Sequence, residues 1–349
     1  MKALVVITGR GLGGDASIAL NTIKALEKQG VECEIALDKS APGILFKNNG
    51  YSWHKISIPV AGGFVATKKS AIKAAFKMIN ATFEIRKLIK KLDVDFVLGV
   101  IGGGAIVGSV GAKLAGKPAA SIICTPLDTK VCTKFNPCFV LPEANLYKHE
   151  NLPKGVSKTY FPVNHGLVKG DKNKALEKLR EEKKFDENKR TILFSSGSSI
   201  FKGMIEGANN FAELTDDYNL VLIGLPLHDD YLDNLNENII YLGYINWLSD
   251  LFDYIDLAVV TDDGLTIQEA VACEVPSISL TRIKWGRYHN MEEVFKGATI
   301  EAEVYNLNDK IKEALDIADD LRAGCKKYSA DIAISQDLLA ERIIEKVKK

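Results

Sequence analysis

The sequence predicts an α/β protein made of two facing Rossmann-like domains, each with a parallel sheet, and a cleft between them. Three observations lead there. At 349 residues the chain exceeds one ordinary core, and two domains of about 150 residues each are expected. Short β-branched runs alternate with segments of helical period in both halves, the pattern of a parallel sheet covered on both faces. The charged stretch Lys169–Arg190, poor in apolar residues before Leu176, separates the halves as a linker plus a solvated helix.

In the first half, Ala3–Ile7 is a strand ending at Thr8-Gly9. Ile18, Ala19, Thr22, Ile23 and Leu26 then recur at helical spacing until Gly30 stops them. Val31–Leu37, Asp95–Val100 and Pro118–Cys124 read as further strands, the middle one followed by Gly102-Gly103-Gly104 and a small-residue helix. The second half repeats this architecture without repeating the sequence. Thr191–Phe194, Tyr218–Gly224, Ile239–Leu242, Leu257–Val260 and Val275–Leu280 read as strands, with a helix from about Thr266 to Cys273. Tyr328–Lys349 reads as a final helix with Ile332, Leu338, Leu339, Ile343 and Ile344 on one face. The expected domains are therefore residues 1–165 and 166–327, with a terminal helix over 328–349.

Composition narrows the function classes. Lys+Arg and Asp+Glu stand at 45 each, a balance that argues against general nucleic-acid affinity. No run approaches the roughly 18 apolar residues that span a bilayer, and Gly9 breaks an opening run too short for a signal core. A cytoplasmic protein is expected. The six cysteines are scattered without a Cys-x-x-Cys pair, so reduced thiols are expected rather than a zinc site.

Two segments carry site chemistry. Gly9-Arg10-Gly11-Leu12-Gly13-Gly14 places Gly-x-Gly-x-x-Gly between a strand and a helix, where backbone N–H groups can receive a phosphate. Asp38, ending the second strand, stands where a dinucleotide fold keeps its ribose-binding acid. Against that reading, Asp15 puts an acid at the loop tip, where it would oppose a pyrophosphate. The second segment, Thr261–Ala270, follows a buried strand and opens a helix. Thr266 can offer a hydroxyl and backbone N–H groups to a diphosphate. Glu269 lies one turn on, where a carboxylate can accept both ribose hydroxyls. The same spacing also fits a plain capping box, Thr266 with Glu269 as its partner.

Taken together, these segments resemble the family 28 glycosyltransferases of the GT-B fold, a group that includes the lipid II-forming N-acetylglucosaminyltransferases. The resemblance rests on Thr8–Asp15, on Asp95–Pro118 with its glycines, on Ser196-Gly197-Ser198, and on Tyr244-Ile245 followed by Asp256–Pro276. It implies a donor nucleotide site formed by Ser196, Gly197, Ser198, Ile245, Gly264, Leu265, Thr266 and Glu269. Within that site Ile245 would contact uracil, Ser198, Leu265 and Thr266 the diphosphate, and Glu269 the ribose. It also implies an acceptor site formed by Gly11, Gly13, Gly14, Gly102, Gly103, Gly104 and Asp128.

The departures from the family pattern are specific. Asp15 stands where the family has a histidine. A carboxylate can serve as general base for a sugar hydroxyl, so Asp15 is the candidate catalytic residue, with a surface helix cap as the alternative. Ile123–Asp128 replaces the family's acidic and amide acceptor motif, leaving Asp128 as its polar match. Gly286-Arg287-Tyr288-His289 replaces the glutamines near the donor sugar, and Arg287 could pair with phosphate or carboxylate. Asp262 and Asp263 replace a small Ser-Gly pair. They are expected to point away from the diphosphate, with a shared Mg²⁺ as the alternative. No cofactor is expected, the UDP-sugar being a substrate.

Phe64–Lys91 combines eight Lys and Arg residues with Ile72, Phe76, Met78, Ile79, Phe83 and Leu88, against Glu84 alone. Such a basic amphipathic helix lies on anionic lipid, so peripheral contact with the inner face of the cell membrane is expected. The resulting expectation is an inverting glycosyltransferase moving a sugar, N-acetylglucosamine first among candidates, from a UDP-sugar to a polyprenyl-diphosphate-linked cell-wall or surface glycan precursor. Alternatives are a UDP-sugar 2-epimerase of the same fold, an NAD(P)-dependent oxidoreductase and a non-catalytic sugar-nucleotide-binding partner.

Overall fold

A computed structural model describes residues 1–9, 11, 13–58, 68–163, 170–283 and 289–348, with the side chains of 68–75 outside that set. The chain divides into two compact units, Met1–Pro162 with Ser335–Lys349, and Val163–Ile334.

In unit 1 the apolar runs become β1 (Lys2–Ile7), β2 (Glu32–Asp38), β3 (His54–Ile56), β4 (Phe96–Val100), β5 (Ala119–Ile123), β6 (Cys138–Val140) and β7 (Val156–Lys158). They form one parallel sheet in the order β3-β2-β1-β4-β5-β6-β7. Its helices are α1 (Gly14–Lys28), α2 (Ile44–Asn48), α3 (Lys68–Leu92), α4 (Gly102–Ala115) and α5 (Pro126–Cys132). β1 and β4 are buried along nearly their whole length, as a strand covered on both faces must be. The short strands β3, β6 and β7 have three residues each, too few to show a period in the sequence.

Unit 2 begins with α6 (Lys172–Leu179), the helix of the charged stretch, which Asp171 caps through the N–H groups of Asn173 and Lys174. Its strands are β8 (Arg190–Ile200), β9 (Tyr218–Pro226), β10 (Ile239–Gly243), β11 (Leu257–Thr261), β12 (Ser277–Leu280) and β13 (Thr299–Ala302). They run parallel in the order β10-β9-β8-β11-β12-β13. The helices are α7 (Lys202–Ala212), α8 (Leu248–Tyr254), α9 (Leu265–Ala272), α10 (Met291–Val294), α11 (Leu307–Asp316) and α12 (Ala318–Ala333). One face of the sheet, carrying Phe194, Leu222, Val259 and Leu280, packs on Met204 and Phe211 of α7 and Ile311 of α11.

The single terminal helix expected over 328–349 is instead two. α12 ends at Ala333 in unit 2, and α13 (Ser335–Lys348) belongs to unit 1. The break is fixed by contacts to distant segments of unit 1. Ser335 donates its hydroxyl to the Phe161 carbonyl at 2.9 Å, and Gln336 donates its amide to Asn21 at 2.8 Å. Ile334 between the helices stays 52% exposed.

Candidate nucleotide and acceptor sites

Each sheet reverses its strand order once, between β1 and β4 in unit 1 and between β8 and β11 in unit 2. The crevice beyond the strand C-termini at such a switch point is where open α/β sheets bind ligands. The proposed site residues that the structure describes lie in the C-terminal part of β8 (Ser196, Gly197 and Ser198) or on segments that follow strands, most of them at these two points.

In unit 1 the two glycine segments meet. A Cβ on Gly104 would lie 2.6 Å from Thr8 N and 2.7 Å from Val6 O, so only glycine lets α4 lie this close to β1. A Cβ on Gly102 would stand 3.8 Å from Thr8 Oγ1. That oxygen is buried and has no hydrogen-bond partner among the described residues. Ile101, between β4 and α4, holds φ 53°, a left-handed backbone that a β-branched residue adopts only when its surroundings impose it. Gly11 is braced from the other side. Its carbonyl accepts the Leu45 N–H at 3.1 Å, and Gly43, which it abuts, lies under the Trp53 ring. Nothing in the sequence signals this Trp53–Gly43–Gly11 stack, because its members come from three separate segments.

Asp15 sits in the first turn of α1, partly exposed. Gly13 is the N-cap and no side chain caps the helix, so the capping role weighed for Asp15 is not the one it takes. Asp128 behaves differently. It is fully buried, and its carboxylate accepts the N–H groups of Gly102 (2.8 Å), Thr125 (2.9 Å) and Cys124 (3.4 Å). Burial pushes its carboxyl up, and the backbone bonds from Gly102, Cys124 and Thr125 oppose that shift. With its oxygens spent this way, Asp128 shapes the loops after β4 and β5 rather than reaching out to an acceptor. Asp38 is likewise occupied, accepting both the N–H (2.9 Å) and the hydroxyl (2.5 Å) of Ser40. Its carboxylate is turned to its own loop, and the dinucleotide reading loses its ribose acid.

In unit 2, β8 breaks register between Ser195 and Ser199, and the bulge brings its loop to α9. Gly197, at φ 84°, is so placed that a Cβ there would stand 3.6 Å from Thr266 Oγ1. The loop supports itself: Ser195 Oγ accepts the Gly197 N–H, and Ser196 Oγ accepts the Phe201 N–H. Ser196 is thus turned inward, whereas Ser198 is exposed. The N-cap of α9 is Gly264, at φ 86°, without a side-chain cap. Thr266 is therefore inside the helix and the capping box weighed for Thr266 and Glu269 does not form. Burial pushes the Glu269 carboxyl up to about 7. Ile245 follows β10, on the other side of β9 from β8, with Tyr244 beside it 62% exposed. Asp263 is buried and accepts the Thr261 hydroxyl at 2.7 Å, and Asp262 is buried and accepts the His289 N–H at 2.9 Å. Arg287 lies outside the described residues.

The glycosyltransferase family 28 N-terminal domain model matches residues 5–120. That match covers about a third of the chain, which is similar there to glycosyltransferase family 28. Among curated relatives is the UDP-N-acetylglucosamine–N-acetylmuramyl-(pentapeptide) pyrophosphoryl-undecaprenol N-acetylglucosamine transferase of Clostridium tetani. It is 28% identical over 64% of this chain and 62% of its own, so the aligned stretch spans less than two thirds of that relative. The Thermosipho africanus enzyme of the same name is 24% identical over 97% of this chain and 98% of its own. Solved structures place this chain in the GT-B fold. Acinetobacter baumannii MurG superposes with a TM-score of 0.66 at 18% identity, covering 99% of both chains. Anabaena HepE in complex with UDP-glucose gives 0.70 at 15%, also covering 99% of both. A putative UDP-N-acetylglucosamine 2-epimerase from Listeria monocytogenes gives 0.66 at 16%, over 99% of this chain and 95% of that one.

Proposed function

We propose that the chain transfers N-acetylglucosamine from its UDP donor to a polyprenyl-diphosphate-linked glycan precursor, by single displacement with inversion. The observation that carries the donor half is the meeting of Gly197 with Thr266 at the β8/β11 switch point, with Glu269 one turn along α9. N–H groups of the loop and the helix start take up the diphosphate charge, and the Glu269 carboxylate receives the ribose hydroxyls. Uracil then lies toward Tyr244 and Ile245. Asp262 accepts the His289 N–H through one oxygen and Asp263 accepts the Thr261 hydroxyl, contacts within the protein that support transfer without a metal ion.

The acceptor half rests on the glycine segments of unit 1 and on Asp15. The acceptor hydroxyl attacks the anomeric carbon, its proton passes to Asp15, and the bond to the β-phosphate oxygen breaks, releasing UDP. Asp15→Asn keeps the shape and removes the base, and is expected to lower kcat by about 10²- to 10⁴-fold. The assay follows UDP release and glycolipid product with a lipid-linked acceptor, in EDTA. An Asp15→Asn enzyme of wild-type rate, or a rate abolished by EDTA, contradicts this mechanism. The resemblance to 2-epimerases supports a second reading, which the same assay separates: an epimerase converts UDP-N-acetylglucosamine with no acceptor present.

α3 supplies the membrane face. Ala81, Ile85 and Ile89 are buried against the sheet, while Phe76, Ile79 and Phe83 are 67%, 54% and 51% exposed. The exposed three follow helical spacing, and Lys77, Lys87, Lys90 and Lys91 are exposed with them. Glu84 does not neutralise this face. It accepts Lys39 Nζ at 2.8 Å and the Ser57 N–H at 2.6 Å. Burial raises its carboxyl, but the Lys39 and Ser57 bonds prevail and hold it below the ordinary range. No helix among the described residues is long and apolar enough to cross a membrane. Replacing Phe76, Ile79 and Phe83 together by serine is expected to reduce sedimentation with anionic phosphatidylglycerol vesicles at least about tenfold. Transfer to a short-chain, water-soluble acceptor analogue stays unchanged. Equal vesicle binding by the triple variant would rule the face out. The reading places the enzyme in the cytoplasm, at the inner face of the cell membrane, with no role for nucleic acid.

A further inference from the structure

The turn from β4 into α4 is carried by a single residue. Ile101 stands between Val100, the last of β4, and Gly102, the first of α4, at φ 53° and ψ 140°. Glycine takes such a backbone freely, and a β-branched residue keeps it only where its surroundings impose it. Gly102 follows at φ 50°, so of two consecutive residues with positive φ only the second is glycine. The other glycines nearby meet a different need. A Cβ on Gly99 would lie 2.7 Å from Ala105 Cα, and one on Gly108 3.1 Å from Gly99 Cα, so both let α4 fold back on β4.

The Ile101 turn is held from two sides. On one, its N–H donates to the Ile122 carbonyl of β5 at 2.9 Å. On the other stands the buried Asp128, whose Oδ2 accepts the N–H groups of Gly102 and Cys124 while Oδ1 accepts that of Thr125. One carboxylate thus spans the exits of two paired strands, β4 and β5. Asp128 is itself fixed, because its own N–H donates to Thr125 Oγ1 in the capping box of α5. A backbone N–H bonded to a carboxylate is a strong bond, and an N–H left without an acceptor in the interior is costly. Together these effects oppose relaxation of the turn.

We propose that Asp128 is a positioning residue for the acceptor, touching no substrate and acting by holding the strained Ile101 turn. The turn fixes where Gly102 faces Thr8 at the β1/β4 switch point. Without the clasp Ile101 relaxes toward ordinary β-branched backbone, and Gly102 moves with it. The proposal rests on the acceptor reading above and leaves the donor site alone. It also makes the isoleucine at 101 and the acid at 128 a functional pair, since the strain at one is what the other restrains.

The test compares wild type, D128A, I101G and the double variant D128A/I101G by steady-state kinetics with a lipid-linked acceptor and by amide hydrogen exchange over residues 100–106. D128A is expected to raise acceptor KM about tenfold or more, to keep KM for UDP-N-acetylglucosamine within about threefold, and to speed exchange at Gly102. In the double variant glycine takes the required backbone without strain, so acceptor KM returns to within about threefold of I101G alone. A double variant as impaired as D128A overturns the proposal, because glycine at 101 cannot replace an Asp128 that contacts the acceptor or merely supports the fold. Unchanged acceptor KM or unchanged exchange in D128A overturns it too, and these two outcomes decide the matter even if I101G fails to fold. Gly104→Ala tests the acceptor reading separately. If acceptor KM is unchanged there, that reading fails whatever exchange in D128A shows. A wild-type chain that turns over no lipid-linked acceptor removes both.

Discussion

Replacing Glu269 by glutamine is expected to weaken UDP binding by roughly 10²- to 10³-fold and, in the same protein, to stabilise the unliganded chain above pH 7. Two charge-assisted hydrogen bonds from ribose hydroxyls, at about 1.5–3 kcal/mol each, set the first figure. The second follows from burial, which pushes the Glu269 carboxyl up to about 7. The folded chain binds this proton more tightly than the unfolded chain, whose value is near 4.3. Its contribution is therefore fully present at low pH and is lost as pH rises through about 7. Glutamine has no proton to lose. Above pH 7 the variant should gain about 1–3 kcal/mol over wild type, with the difference gone near pH 4. Binding has the opposite slope. Ribose hydroxyls need the carboxylate, so wild-type affinity for UDP should fall as pH drops below about 7, over and above any slope the phosphate itself brings. The glutamine variant reports that phosphate slope alone. Thermal unfolding with and without UDP between pH 5 and 8.5 measures all of this. Parallel pH slopes for the two proteins, or equal affinity, would remove Glu269 from the ribose.

Gly104→Ala should destabilise unit 1 by about 3 kcal/mol. The added methyl would stand 2.6 to 2.8 Å from Thr8 N, Val6 O and the Ile7 carbonyl carbon. All three are backbone atoms of β1 and its exit, in the middle of a seven-stranded sheet, and none can turn aside. α4 must withdraw, and the crevice where Thr8 meets Gly102 widens with it. Acceptor KM is expected to rise along with the loss of stability. Gly14→Ala is the control from the same set of glycines. It is exposed, lies in the first turn of α1 and has nothing within 4 Å of its would-be Cβ, so alanine there should be neutral or slightly stabilising. Urea unfolding of the two variants decides the matter. Equal midpoints would mean that α4 does not rest on β1 as described.

Why one glycine differs from the other could not be read along the chain. Both belong to glycine runs between a strand and a helix, and local pattern assigns them the same use. The difference comes from β4 lying next to β1, a contact between segments some ninety residues apart. The same holds for Asp128. As a lone acid after a strand it is a natural acceptor contact, and it is the loops around it that consume its oxygens. Ser196 and Ser198 also read alike in the sequence, yet the register break in β8 turns one in and the other out.

The sequence by itself determined the two α/β halves, nine of the thirteen strands among the described residues and the segments that follow them. These depend on apolar period, β-branched runs and glycine breaks, all local properties of the chain. It also singled out Thr266 and Glu269 as a pair, while leaving a nucleotide contact and a helix cap both open. The structure removes the cap, and the nucleotide contact is the reading proposed above. Gly264 takes the cap with backbone that glycine alone adopts freely, and Gly197 arrives beside Thr266 because β8 and β11 are neighbours. The joining of Asp262 to His289, and of α13 to unit 1, were decided in the same way. Apart from the Gly264 cap, which is local, the deciding contact in each case joins residues far apart in the chain, and such a contact leaves no period, spacing or composition for the sequence to show.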